Sequence, residues 1–261
     1  MSDTAAYFER ETATRFRPTA HVGGAWNTDE QHIAPSLGLI AHAIEGDHRQ
    51  RRGDDRLRLS RVSYDILGVL PIEPVDIAVT VLRAGRTIEL MEARLDHAGR
   101  TAVIARAWLM HAFDTADLAG STLPQVPAAE ELPAWDPTTR WPGGFIRSAE
   151  VRRASPEPGR ATSWVRTRVK LIAEEQASPT ARVLGLVDIA NGIATRVHAD
   201  EAVFPNLDLT VHLFGEPDGE WTGFDTTVSF GRHGAGLTHS VLHDKRGPFG
   251  TMAQALTVRP A

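Results

Sequence analysis

APSLGLIAHAIEG at 34–46 and SPTARVLGLVDIANGIATRVH at 178–198 are the two stretches that decide how this chain folds, because LGLIA (37–41) returns as LGLVD (184–188) at an offset of 147. In the first, Leu37, Ile40, Ala41 and Ile44 keep the spacing of one helix face, and Gly46 offers a stop. In the second, Ser178 suits an N-cap and Pro179 the first helical position. The spacing predicts one helix over 34–46 and another over 178–198.

Working outward, residues 58–112 form short alternating apolar runs, RLSRVSYDILGVL, VDIAVTVLRAG, TIELMEARLDHAG and RTAVIARAWLMHAF, broken by Pro71, Pro74, Gly85 and Gly99. These read as consecutive antiparallel strands, and DHAG (96–99) as a hairpin turn. SWVRTRVKLI (163–172) alternates likewise ahead of the second helix, and NLDLTVHLF, EWTGFDTTVSF, GLTHSVLHD and FGTMAQALTV follow it. The last hairpin repeats too: Arg83, Gly85, Asp96 and Gly99 correspond to Arg232, Gly234, Asp244 and Gly247, at offsets of 148 to 149. Two matches in order at nearly one offset indicate duplication. SYDIL (63–67) also corresponds to NLDLT (206–210), across a gap. DTADLAGSTLPQVPAAEELPAWDPTTRWPGG, with five prolines, reads as a connector. The expected division is an N-terminal unit over 1–113, a linker over 114–144 and a C-terminal unit over 145–261.

Composition narrows the function. The hydrophobic share of 42% and charged share of 23% fit a globular protein with a real core. A net charge of −5 gives no electrostatic reason to expect a nucleic acid or an anionic membrane as partner. Without cysteine, thiolate metal sites and cysteine nucleophiles are excluded. MSDTAAYFERETATRF lacks the apolar core of a leader, and no run approaches the roughly 20 apolar residues of a membrane span. The expectation is cytoplasmic. Arginine far outnumbers Lys170 and Lys245, and alanine is abundant, as in proteins of GC-rich bacterial genomes.

Overlaying the halves shows where they differ: Asp188 faces Ala41, Gln254 faces Arg106, and Asn206, across the gap, faces Ser63. A carboxylate inside VLGLVDIANGI costs several kcal/mol if buried without partners. Taken singly, Asp188 also reads as an exposed helix residue, Gln254 as a solvent-facing strand residue and Asn206 as a turn residue.

A helix followed by antiparallel strands, twice in one chain, resembles a double hotdog. DIANGIA, FPNLDLTVHLF, GEW, the D-x-x-G turn and GTMAQALTV resemble the double-hotdog acyl-CoA thioesterases of the TesB-like, or thioesterase-like, superfamily. The resemblance implies an α+β fold with one continuous sheet, an acyl-CoA substrate and neither cofactor nor metal. It also implies a water-holding site of aspartate, strand polar residue and last-strand glutamine, matched by Asp188, Asn206 and Gln254. The strand residue is usually threonine in that family, and Asn206 departs from it. The first copy's site would be degenerate. Backbone N–H groups near the helix start could serve a developing oxyanion. Further association of double hotdogs into an oligomer is a family expectation only.

Rival chemistries have weaker marks. There is no G-x-S-x-G elbow or H-E-x-x-H motif; His239 and His243 could share a strand face, and Gly231, Gly234 and Gly236 join two strands rather than opening a helix. The hydratase branch of double hotdogs, acting on enoyl-CoA, pairs Asp and His, and NTDEQHIAP offers Asp29 and His32 at another spacing. Capping by Asp29 and a surface place for His32 are the simpler reading. A non-catalytic acyl-CoA-binding module is the remaining alternative.

Overall fold

A computed structural model describes residues 5–53 and 56–261. The first half runs β1 (Ala6–Arg10), β2 (Arg15–Pro18), α1 (Ile33–Arg52), β3 (Leu57–Ile66), β4 (Val75–Arg83), β5 (Ile88–His97) and β6 (Arg100–His111). The connector holds β7 (Ala134–Trp135) and leads into α2 (Gly144–Ser148). The second half runs β8 (Ala149–Glu157), β9 (Arg160–Thr167), β10 (Lys170–Ile172), α3 (Pro179–Leu184), a 3-10 turn at Val187–Ile189 and α4 (Ala190–Ile193). It ends with β11 (Ala202–Val203), β12 (Asp208–Leu213), β13 (Thr222–Phe230), β14 (Ala235–Asp244), β15 (Gly247–Thr257) and β16 (Arg259–Pro260).

Among the described residues, fourteen strands form one sheet in the order β10-β1-β2-β4-β5-β6-β3-β12-β15-β14-β13-β9-β8-β7. Strands β1 to β6 on one side are mirrored by β8, β9 and β12 to β15 on the other, so two tandem units share a continuous sheet. The seam is the antiparallel pair β3–β12, with Tyr64 opposite Leu209 and Val62 opposite Val211. All four are fully buried, and side chains of this kind contribute roughly 1.5–3 kcal/mol each. The helices lie against the sheet: α1 over β4 and β5, α4 over β13 and β14, and α1 against α3. No helix among the described residues is long and apolar enough to cross a membrane.

The alternating runs become strands as expected, although SWVRTRVKLI divides into β9 and β10. The short pieces β1, β2 and β7 and the nine-residue β8 carried no legible pattern. The 96–99 turn places Ala98 at φ 50° and Gly99 at φ 77°, the twin positive φ of a tight hairpin.

Both helix predictions need correction. Helix α1 continues through Gly46 to Arg52, and the stop is Gly53, at φ 69° with its N–H on the Arg49 carbonyl. The second helix starts as predicted, Ser178 Oγ accepting from the Ala181 N–H at 3.0 Å, but α3 ends at Leu184 and α4 at Ile193 instead of 198. Side chains hold the freed carbonyls: Trp141 Nε1 donates to Gly192 O at 2.8 Å and Arg153 Nε to Ile193 O at 2.6 Å.

A close crossing sets the position of the two helical segments. A Cβ on Gly38 of α1 would lie 2.7 Å from Ala181 O and 2.7 Å from Gly185 Cα. Gly46 of the same helix has open space, with nothing within 4 Å of its Cβ position. In an unobstructed helix, Gly→Ala stabilises by about 0.5–1 kcal/mol, whereas overpacking costs about 1–3 kcal/mol. Urea denaturation should therefore show Gly46→Ala gaining stability and Gly38→Ala losing about 1–3 kcal/mol. Equal gains from both would contradict a crossing limited by backbone contact.

Candidate active site

Asp188 sits in the 3-10 turn between α3 and α4, its side chain only 6% exposed. Asn206, just before β12, donates from Nδ2 to Asp188 Oδ1 at 2.8 Å. Gln254, on β15, donates from Nε2 to the same oxygen at 2.8 Å. All three residues singled out in the sequence thus meet on one carboxylate oxygen. Gln254 faces inward with 1% exposure, and with its amide nitrogen on Asp188 its Oε1 stays buried without a protein partner among the described residues.

The overlay of the halves is corrected in register. Arg106 points to the outer face of the sheet, where its Nε meets Glu92 Oε2 at 3.1 Å. Its neighbours Ala105 and Ala107 are fully buried. A one-residue slip exchanges the faces of a strand, so an inward alanine, not Arg106, is what Gln254 replaces. Ser63 lies within β3 opposite Thr210 and takes a hydrogen bond from Arg61 Nη1. It is no counterpart of Asn206. Ala41 is fully buried in the first copy's helix.

The readings of Asp29 and His32 change places. Asp29 is exposed, and its backbone N–H meets Asn27 Oδ1. It is His32 that caps α1, Nδ1 accepting from the Ala34 N–H at 3.2 Å. Its ring packs on Phe145 with centroids 4.2 Å apart, and Nδ1 lies 3.6 Å from Asp188 Oδ2. That separation is too long for a hydrogen bond. The histidine therefore reaches the second copy's carboxylate from the first copy's helix start.

Burial governs the electrostatics. It pushes the Asp188 carboxyl up to about 7, against the lowering effect of the Asn206 and Gln254 hydrogen bonds. Burial also pushes His32 down to about 3. The imidazole is neutral at pH 7, so the 3.6 Å contact is not an ion pair at that pH.

Asp188, His32 and Asn206 open onto a cavity of about 490 Å³, walled by Trp26, Trp141, Phe204, Ile189 and Ile193. Trp26 and Trp141 meet edge-to-face at 4.8 Å between centroids, and Trp26 and Phe204 at 5.2 Å. Glu30, Asp188 and Arg259 supply the acidic and basic side chains of the lining. The proline-rich connector contributes Pro137 and Trp141 to the wall, so it is more than a tether. The helix start on this cavity is that of α1, with His32 and Ile33, and not that of α3.

Elsewhere, the possible histidine pair is divided: His239 is exposed, whereas His243 is buried past an irregularity in the β14–β15 register and meets Pro124 O through Nε2 at 2.9 Å. The 231–234 segment joins β13 to β14 as a turn.

Residues 22–110 match the model of the acyl-CoA thioesterase N-terminal domain, and residues 121–258 that of the acyl-CoA thioesterase C-terminal domain. No curated protein matches the chain. Among solved structures, a conserved protein of unknown function with a hot dog fold from Alicyclobacillus acidocaldarius is similar at a TM-score of 0.75 and 12% identity, over 98% of this chain and 97% of that one. An acyl-CoA thioesterase II from Mycobacterium marinum is similar at 0.66 and 15%, over 97% of this chain and 95% of its own. The tesB protein of Mycobacterium avium subspecies paratuberculosis reaches 0.64 and 17%, over 97% and 96%. These likenesses show the double-hotdog fold. Matched over both halves by that pair of models, this chain belongs to the acyl-CoA thioesterases, a family of thioester hydrolases.

Proposed function

We propose that this chain hydrolyses an acyl-CoA thioester to the free acid and CoA at Asp188, with a water as the attacking group. The observation that carries this reading is a buried carboxylate with one oxygen held and one free. Oδ1 takes both amides, which leaves Oδ2 toward the cavity to accept a proton. On this reading the amides of Asn206 and Gln254 orient the water indirectly, by fixing the base. The water oxygen bonds to the carbonyl carbon as its proton passes to Oδ2. Collapse of the adduct breaks the carbon–sulfur bond, and the proton on Asp188 goes to the departing thiolate. A thioester carbonyl is electrophilic enough for this without a covalent enzyme intermediate.

The cavity wall supports an apolar acyl group, since Trp26, Trp141, Phe204 and five isoleucines face it. The mirrored strand order supports the division into units over 1–113 and 145–261, joined by 114–144. The hydratase reading draws no support from Asp29, which lies on the exposed loop and not on the cavity wall.

Two measurements follow from the raised Asp188 pKa. A base must be ionised, so kcat for thiol release from acyl-CoA should rise with pH through about 7 and level off above it. Asp188→Asn should lower kcat by about 10²–10⁴. A pH-independent rate, or full activity in that variant, would contradict the assignment.

Stability has the opposite pH sign. The carboxyl's folded value of about 7 exceeds the ordinary 3.8, so between those values the folded state holds a proton that the unfolded state has lost. Asp188 thus favours folding below pH 4 and progressively less up to pH 7, a change on the order of 4 kcal/mol at 1.36 kcal/mol per pH unit. In denaturant titrations, the stability of Asp188→Asn relative to wild type should rise by that order between pH 4 and pH 8. A constant difference would contradict a protonated buried carboxyl.

A further inference from the structure

The base leaves one task of the reaction unassigned. As water adds, the carbonyl π pair moves onto oxygen, and that oxygen needs a donor aimed at it. Asn206 Nδ2 and Gln254 Nε2 are both on Asp188, and Trp141 Nε1 is on Gly192 O. At the start of α1, the Ala34 N–H is on His32 and Pro35 has no N–H to offer, which leaves the Ile33 N–H as the one backbone donor there besides the His32 ring.

The geometry points to His32 as a catalytic residue whose Nε2–H donates a hydrogen bond to the thioester carbonyl oxygen and stabilises the oxyanion. This rests on the hydrolytic reading above. Nδ1 accepts from the Ala34 N–H, so in the neutral ring the proton sits on Nε2, an assignment made from the hydrogen-bond network. No described residue partners Nε2. The ring lines the cavity that Asp188 lines; its Nδ1 lies 3.6 Å from the free Oδ2, and Nε2 follows one ring carbon further on. A carbonyl held at one ring nitrogen would therefore present its carbon to a water held at Oδ2.

The ring is also fixed in place. Phe145 packs against it, and its backbone N–H is bound to Val22 O at 2.7 Å. Gln31 is bound through its own N–H to Leu70 O at 2.7 Å and through Nε2 to Pro71 O at 2.8 Å. A Cβ at Gly24 would come within 2.9 Å of the His32 nitrogen, so the preceding loop is folded tightly against it. A donor that need not move as charge develops loses nothing to reorganisation. Burial keeps the imidazole neutral far below working pH, so it stabilises the oxyanion as a dipole and gives up no proton. The negative charge thus stays on carbonyl oxygen until the carbon–sulfur bond breaks.

Asn191 is the rival donor: it lines the same cavity and is 8% exposed. It stands three residues beyond Asp188, in α4.

The test compares thiol release by wild type, His32→Asn and Asn191→Ala across pH, with urea denaturation of each. Asparagine is among the best N-caps, so His32→Asn keeps the cap on α1 while withdrawing the ring donor. Its kcat should fall by about 10²–10³ at every pH, with KM within about threefold, the pH limb unmoved and stability retained. Asn191→Ala should keep at least about tenfold more kcat than His32→Asn. Retained kcat in His32→Asn would overturn the proposal. So would a lowered pH limb with the plateau intact, since His32 would then only shield Asp188. A large loss in Asn191→Ala with an active His32→Asn would give the oxyanion to the amide. An inactive wild type would overturn the hydrolytic reading itself, and this inference with it.

Discussion

The crossing of α1 over α3 at Gly38 and Gly185 is the constraint on which the site depends. A single Cβ at Gly38 would strike Ala181 O and Gly185 Cα, so the two helical segments can approach this closely only with glycine there. Below them, the β3–β12 ladder fixes how the copies sit side by side, and Tyr64 ties that ladder to α1 through its hydroxyl on Leu37 O at 3.1 Å. Together these contacts bring the N-terminal end of one copy's helix to the other copy's broken helix. The candidate site is therefore composite: Asp188, Asn206 and Gln254 from the second copy, and His32, Trp26 and the Ile66–Leu70 wall from the first.

Asp188 shows how a buried carboxyl can stay titratable near neutral pH. Two amide donors hold one oxygen, yet burial outweighs them and the group titrates near neutrality. A fully paired carboxylate would be a poor base, because each donor lowers its affinity for a proton. An unpaired one would be costly to bury. The single-oxygen arrangement lies between these limits. In the first copy, buried alanines occupy the positions of Asp188 and Gln254.

Much of this was legible in the chain. LGLIA and LGLVD, and the paired turn motifs, carried the duplication because each unit must bury the same face. Asp188 was legible because it interrupts an apolar run, and Gln254 because it matches the last-strand glutamine that the family resemblance implies. What escaped depended on tertiary geometry. Gly46 looked like a helix stop, but the Gly53 αL cap and the Arg51–Asp47 pair carry the helix onward. Alternation alone could not place Gln254 inside and Arg106 outside, since a one-residue slip exchanges them. His32 looked like a surface residue of a polar loop. Its burial arises only when the other copy's α2 brings Phe145 against the ring. Trp141 was hidden in a proline-rich connector whose path no local pattern records.

The claim that Asp188 acts as a base on water, and not as a nucleophile, is tested most directly by a single turnover in heavy-oxygen water with enzyme in excess over acyl-CoA. Direct attack predicts that the free acid carries one heavy oxygen from the first turnover, with the Asp188 carboxyl unlabelled. Unlabelled acid together with label in Asp188 would mean that an acyl-aspartyl anhydride had formed, and would contradict the account.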